Sequence, residues 1–235
     1  MSTIAIITAR SKSKRIPHKN IKPFCGKPIM VYSIEAALSS DVFDEVMVST
    51  DSEQYAEIAK NAGAKVPFLR SPDNSSDHAT TADVLIEVIE EYEKSGRHFD
   101  EVCCIYPTAP FISGKKLSDA FDEMKRSKAD SLVTVVKFGF PPQRGFVIRD
   151  NHVSYLHPEF EKTRSQDLEP IYHDCGQFYI IKTEALLEYH SLILPNTVPY
   201  ILPEEEVQDI DTLSDWEIAE AKYKALRKKD SPYFF

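Results

Sequence analysis

Short apolar, β-branched runs alternate along this chain with stretches of helical periodicity. Ile4-Ala5-Ile6-Ile7 is too short for a helix and is bounded by polar residues, which predicts a buried strand. After Pro28 the spacing of Met30, Ile34 and Leu38 predicts a helix over Ile29–Leu38. Glu45–Asp51 reads as a second strand, and Ser52–Asn61 as a helix closed by Gly63. A third short strand is expected at Val66–Leu69, then a polar, turn-rich stretch and a helix over Thr81–Glu93. Glu101–Tyr106 is a fourth strand, broken by Pro107-Thr108-Ala109-Pro110. A helix over Gly114–Arg126 and a strand over Ser131–Val136 complete the rhythm.

Such alternation predicts an α/β fold with a mostly parallel sheet and helices on both faces. Ligands in such folds sit beyond the carboxyl ends of the strands, where Arg10, Asp51, Arg70 and Thr108 should converge. The rhythm then breaks. Phe146–Leu156 reads as a hairpin turning at Asp150-Asn151, either a dimerisation flap or a lid, within an excursion over 140–170. Gln177–Ile181 returns as a strand, and the last element is a helix over Thr212–Lys228. With no repeat or low-complexity linker, residues 1–235 read as one domain.

Charge changes this picture locally. The chain carries a net charge of -9, which opposes general nucleic-acid binding, yet Met1–Ile34 holds no Asp or Glu and seven Lys/Arg. A strand that opens into Arg10, Lys12, Lys14, Arg15 and Lys19 points to a pocket for a small polyanion such as a nucleoside triphosphate. The alternative is a solvated basic arm, or one touching nucleic acid, although such arms usually precede the folded part. Neither common glycine-rich phosphate signature is present, so side-chain cations and loop amides would hold the phosphates. No run approaches a membrane span and no secretory leader pattern opens the chain. The four cysteines lack metal-type spacing, so a reduced, cytoplasmic protein is expected.

Asp209-Ile210-Asp211 places two carboxylates on one side of an extended segment, a hard-oxygen pair suited to Mg²⁺ beside substrate phosphates. The competing reading is helix capping by Asp211, with Asp209 solvated.

These motifs, in this order, resemble those of the acylneuraminate cytidylyltransferases, which activate nonulosonic sugar acids as CMP conjugates. The resemblance spans nearly the whole chain. It rests on Ala9-Arg10, Ser13-Lys14, Lys19-Asn20, Val48-Ser49-Thr50-Asp51, Arg70 with the Asp77/Thr80/Thr81 turn, Pro107-Thr108-Ala109-Pro110, Gly176-Gln177-Phe178-Tyr179 and Asp209-Ile210-Asp211. Ile21 to Pro28, Pro142-Gln143-Arg144 and His173 to Tyr179 are most similar to the pseudaminic acid branch.

The resemblance implies a three-layer α/β/α nucleotidyltransferase fold with a mixed sheet, a homodimer built partly by the 140–170 excursion, and Mg²⁺-dependent use of CTP. Carried over by position, Ala9, Arg10, Lys14, Lys19 and Asn20 would hold the triphosphate and nucleoside. Arg70, Asp77, Thr80 and Thr81 would close around the cytidine, and Asp209 and Asp211 would bind metal. Tyr106, Arg164, His173 and Gln177 would approach the sugar acid. Arg10, Lys14, Lys19 and Asp211 would carry catalysis, with no side chain standing out as general base.

Two positions depart from the family pattern. Ser11-Lys12 replaces a common Gly-Gly, so the loop backbone could differ and Lys12 could add a phosphate contact. Tyr106 stands where sialic-acid enzymes commonly have Gln, which favours a less hydroxylated sugar such as pseudaminic acid over neuraminic, legionaminic or Kdo-like acids. A non-catalytic nucleotide sensor is the rival from another class, opposed by the retained metal pair; a nucleic-acid binder is the weakest. His98, His152 and His190 read as surface residues, and His78 and His173 as loop residues that either touch substrate or only pack. The aromatic end, Tyr233-Phe234-Phe235, would dock on the body or on a partner.

Overall fold

Strand β1 (Thr3–Thr8) is buried from both sides because its alternate residues enter different cores. Ala5 and Ile7 join one cluster, Ile4 and Ile6 another, and all four are fully buried. Removing each isoleucine from water contributes about 1.5–3 kcal/mol before the entropy of ordering it is set against that. The computed structural model describes residues 1–229, so the Tyr233-Phe234-Phe235 expectation lies outside the described residues.

Along the chain follow β2 (Pro23–Phe24), β3 (Lys27–Pro28), α1 (Ile29–Leu38), β4 (Glu45–Ser49), α2 (Glu53–Asn61), α3 (Thr81–Lys94), β5 (Glu101–Ile105) and α4 (Gly114–Ser127). The remainder comprises β6 (Ser131–Lys137), β7 (Phe146–Arg149), β8 (His152–Tyr155), β9 (Tyr172–Lys182), α5 (Thr183–Tyr189), β10 (Thr197–Leu202) and α6 (Leu213–Lys229). The main sheet runs β10-β6-β9-β5-β1-β4. Its pairs are parallel except those of β9, which lies antiparallel between β5 and β6. Helices α1, α2 and α4 cover one face; α3 and α5 cover the other. The expected three-layer, mostly parallel mixed sheet is therefore present.

Antiparallel β9 matters for function. Its early residues, Tyr172 to Gln177, lie at the rim where β1, β4 and β5 end. The expected hairpin is β7–β8, and Asp150 (φ 49°) and Asn151 (φ 60°) adopt the left-handed pair that a tight two-residue turn requires.

The strand expected over Val66–Leu69 is absent. Only Lys65 bridges Met47, and Pro67 supplies no donor with which to extend a ladder. The backbone still follows β4 loosely, for the Arg70 N–H donates to Thr50 O at 2.8 Å. Four further elements escaped the sequence pattern: the two-residue strands β2 and β3, helix α5 and strand β10. Helix α5 is short, and β10 is an edge strand interrupted by Pro199, a position that tolerates proline.

Candidate active site

Beyond the carboxyl ends of β1, β4 and β5 lies a cavity of about 520 Å³. Arg10, Lys14, Lys19, Asn20, Arg70, Asp77, Thr80, Thr81 and Tyr106, all expected from sequence, line it together. Ala9 lies beneath it, buried, with its N–H donating to Ser49 O at 2.9 Å, so β1 stays in register up to the loop. Arg15, expected in the cationic loop, lines it too, and Asn74 and Ser76 join the wall without a sequence signal of their own.

The loop after β1 is fastened from several directions. The Ser11 N–H donates to Asp51 Oδ1 at 2.7 Å and its hydroxyl donates to Oδ2 at 2.9 Å. Neither Ser11 nor Lys12 has a positive φ, so this loop does not require glycines there. Lys12 is exposed and is not part of the cavity wall. Buried Asn20 donates from Nδ2 to Arg10 O at 2.9 Å.

The cations meet carboxylates. Asp77 accepts from Arg10 at 2.9 Å and pairs with Lys14 at 2.5 Å; Lys14 first and Arg10 second hold its carboxyl below the usual range. Arg15 pairs with Asp211 at 2.7 Å, and Lys19 approaches the same carboxylate at 3.7 Å while donating to Ile210 O at 2.5 Å. Burial lowers the Lys19 ammonium from its ordinary value against the pull of Asp211 and Asp209. Arg70 is only 8% exposed, and desolvation brings it down to about 10. Its guanidinium donates to Ser49 Oγ at 2.9 Å and Ser49 O at 2.6 Å, which fixes it at the end of β4.

Ile210 is fully buried against Trp216, and the two aspartates flank it on an extended segment. Although Asp209 reaches solvent, the surrounding protein and then the Asp211 charge push its carboxyl up. Helix capping does not occupy Asp211. Thr212 caps α6, its Oγ1 accepting from the Asp215 N–H at 3.2 Å, while Asp215 accepts from the N–H groups of Asp211 and Thr212. Among the described residues no cluster of three or more His, Cys, Asp or Glu could hold a metal by itself. Two carboxylates beside a cationic cavity suit a hard cation whose remaining ligands come from phosphate and water.

A second cavity of about 400 Å³ adjoins the first and shares Thr80, Thr81 and Tyr106 with it. Its other walls come from Asp174 and Tyr179 of β9 and from His190 to Ile193. Tyr179 donates to Asp174 Oδ2 at 2.5 Å, and the Tyr106 and Tyr179 rings meet at 5.6 Å between centroids. Burial pushes both phenols up. Apart from Tyr106, the expected sugar-side residues fall outside the walls of both cavities. Gln177 is 1% exposed, its Oε1 has no partner among the described residues, and its Nε2 donates weakly to Cys175 O at 3.3 Å. Arg164 is exposed and pairs with Asp167 at 2.7 Å, and exposed His173 stacks near Phe138 at 4.6 Å. His98, His152 and His190 are exposed as expected, and His190 also borders the second cavity.

A family model described as cytidylyltransferase matches residues 4–190. The chain is 41% identical over 225 residues to the pseudaminic acid cytidylyltransferase of Campylobacter jejuni subsp. jejuni serotype O:2, covering 95% of this chain and 97% of that one. It is 34% identical to the CMP-N,N'-diacetyllegionaminic acid synthase of Legionella pneumophila subsp. pneumophila, over 94% of this chain and 95% of the relative. Among solved structures, a CMP:2-keto-3-deoxy-manno-octonic acid synthetase complexed with CTP superposes with a TM-score of 0.72 at 17% identity, covering 96% of this chain and all of that one. That likeness concerns the fold.

Proposed function

Since the chain belongs to the cytidylyltransferase family, we propose that it transfers CMP from CTP to a nonulosonic sugar acid, most specifically pseudaminic acid. The observation that carries this reading is the pair of adjoining cavities, one cationic and one largely uncharged, with Thr80, Thr81 and Tyr106 between them. CTP would lie in the first, its phosphates against Arg10, Lys14, Arg15 and Lys19. The sugar acid would enter the second, so that the α-phosphorus and the anomeric hydroxyl meet near the shared wall.

The anomeric oxygen attacks the α-phosphorus, the bond to the bridging oxygen of the β-phosphate breaks, and pyrophosphate leaves while the hydroxyl proton is released. Chemistry of this kind depends on positioning and charge stabilisation. Arg10, Lys14 and Lys19 would offset charge on the phosphates, and buried Arg70, fixed by Ser49, would give the nucleotide a rigid wall. Asp209 and Asp211 would hold Mg²⁺, which when bound supplies positive charge to the phosphate oxygens and acidifies a bound hydroxyl. A CTP-dependent activity also fits a cytoplasmic location, and among the described residues no helix is long and apolar enough to cross a membrane.

The excursion supports a homodimer. Phe140, Phe146, Ile148, Val153 and Leu156 are each more than half exposed, an apolar surface a monomer rarely leaves open. Ile148→Lys should shift the protein from dimer to monomer in analytical ultracentrifugation; an unchanged mass would remove this face from the interface.

The direct test follows pyrophosphate release from CTP with pseudaminic acid, N-acetylneuraminic acid, Kdo or no sugar, with Mg²⁺ and with chelator. Release with pseudaminic acid alone, and only with metal, is expected. Release with another acid would retain the reaction and change the substrate. No release from folded protein that still binds CTP would favour the nucleotide sensor.

A further inference from the structure

One wall of the first cavity comes from the segment that leads into α3, and this segment is held from behind. Asn74, Ser76, Asp77 and Ala79 line the cavity, and the Arg10 guanidinium donates to Ser76 O at 3.2 Å. Both ends of the segment are fixed. Arg70 is fastened to Ser49 at the end of β4. Thr80 caps α3, its Oγ1 accepting from the Asp83 N–H at 3.2 Å, while Asp83 accepts the Thr80 N–H at 2.9 Å.

Between those ends the segment is gathered by Glu87, half-buried on the helix face it shares with Asp83. One of its carboxylate oxygens accepts the Ser71 N–H at 2.8 Å. The other accepts the Ser71 hydroxyl at 3.0 Å and the Asn74 side-chain amide. The Ser71 hydroxyl in turn accepts the Asn74 N–H at 3.3 Å, and Ser71 O accepts the hydroxyl of buried Ser75 at 2.7 Å. Hydrogen bonds to an ionised acceptor are the stronger kind. Helix α3 gives them a firm support, because Val84, Leu85, Val88 and Ile89 are buried around Glu87. Glu87 itself is not part of the cavity wall.

Resting on the CTP reading of this cavity, we propose that Glu87 is a positioning residue for the nucleotide, holding Ser71 and Asn74 so that the wall at 74–79 stands ordered where CTP docks. Asn74, Ser76 and Ala79 carry no charge, so their contribution depends on where they stand, and a wall ordered beforehand favours binding. Charge alone predicts the opposite sign. A carboxylate behind a triphosphate cavity repels the ligand, so its removal would tighten CTP binding if charge were what mattered. Loss of the anchor loosens the wall and weakens CTP binding.

The test measures CTP binding by calorimetry without sugar acid, beside steady-state kinetics with it, for wild type, Glu87→Ala, Glu87→Gln and Glu90→Ala. Glu87→Ala should raise the CTP Kd and KM about five- to twentyfold, with kcat and the sugar KM within about twofold of wild type. Glu87→Gln, the milder change, keeps one oxygen for Ser71 but sets an amide donor against Asn74, so a loss of about two- to fourfold is expected. Glu90→Ala removes a charge one turn further along α3 and should bind CTP as well as wild type or better. Unchanged or tighter CTP binding in either Glu87 variant overturns the proposal. So does a sugar KM that rises in step with the CTP KM, as a general loss of structure would cause, or an equal weakening in Glu90→Ala. Wild type that binds no CTP overturns the nucleotide reading of the cavity itself, which separates the two failures.

Discussion

The two cavities share a wall and differ in how they would recognise a ligand. The first is built from Arg10, Lys14, Arg15 and Lys19, already paired with Asp77 and Asp211. Charge there acts over distance and tolerates imprecise geometry. The second carries the Tyr179 hydroxyl donating to Asp174, the Thr80, Thr81 and Tyr106 hydroxyls, and apolar residues, where close contact decides. The nucleotide side should therefore respond to ionic perturbation, and the sugar side to the loss of single atoms.

The sharpest break of this contrast would come at Asp211, which lies on the nucleotide side but serves the reacting centre under the proposed reaction. Asp211→Ala should lower kcat by about a thousandfold or more while circular dichroism and thermal midpoint stay close to wild type. Full activity would remove Asp211 from the chemistry. Lys19→Ala should act on one side alone, raising the CTP KM about ten- to a hundredfold and leaving the sugar KM within about twofold. A matching change in both would show that the cavities are energetically joined.

Salt tests the same division without mutation. Between low and about 0.5 M ionic strength the CTP KM should rise roughly fivefold, more steeply than the sugar KM. The smallest effect is expected at Asp77. Because Asp77 already holds Arg10 and Lys14, Asp77→Asn should tighten CTP binding about two- to threefold when measured by calorimetry without catalysis. Weaker binding would instead place Asp77 against the nucleotide, the role implied by the family resemblance.

How far each side could be read from sequence follows the same physics. The cationic residues are local, clustered after one strand, and conspicuous against a net charge of -9. Strand ends then gathered Arg70, Thr80, Thr81 and Tyr106 around them, as an α/β fold requires. Tyr179 gave no such signal, because a tyrosine in an apolar strand has the same pattern whether it packs or lines a cavity. Arg164 and His173 were placed by resemblance, and within a single chain both stand apart from the cavities. The capping question was legible, since Thr212-Leu213-Ser214-Asp215 has capping-box spacing that leaves Asp211 available. At Val66–Leu69 the apolar pattern was outweighed by Pro67 and by pairing confined to Lys65.

One feature of the fold bears on how such a protein changes over generations. The second cavity draws Asp174 and Tyr179 from β9 and His190 to Ile193 from the segment just after α5, so its distinctive residues occupy one short, continuous stretch. The cationic walls are encoded almost entirely before residue 110. A recombination event, or a few mutations confined to that later stretch, could exchange one acceptor substrate for another while the nucleotide-handling half is inherited intact. Tyr106 is the exception. It belongs to the early segment but lines both cavities, so it must suit whichever later segment it is inherited with.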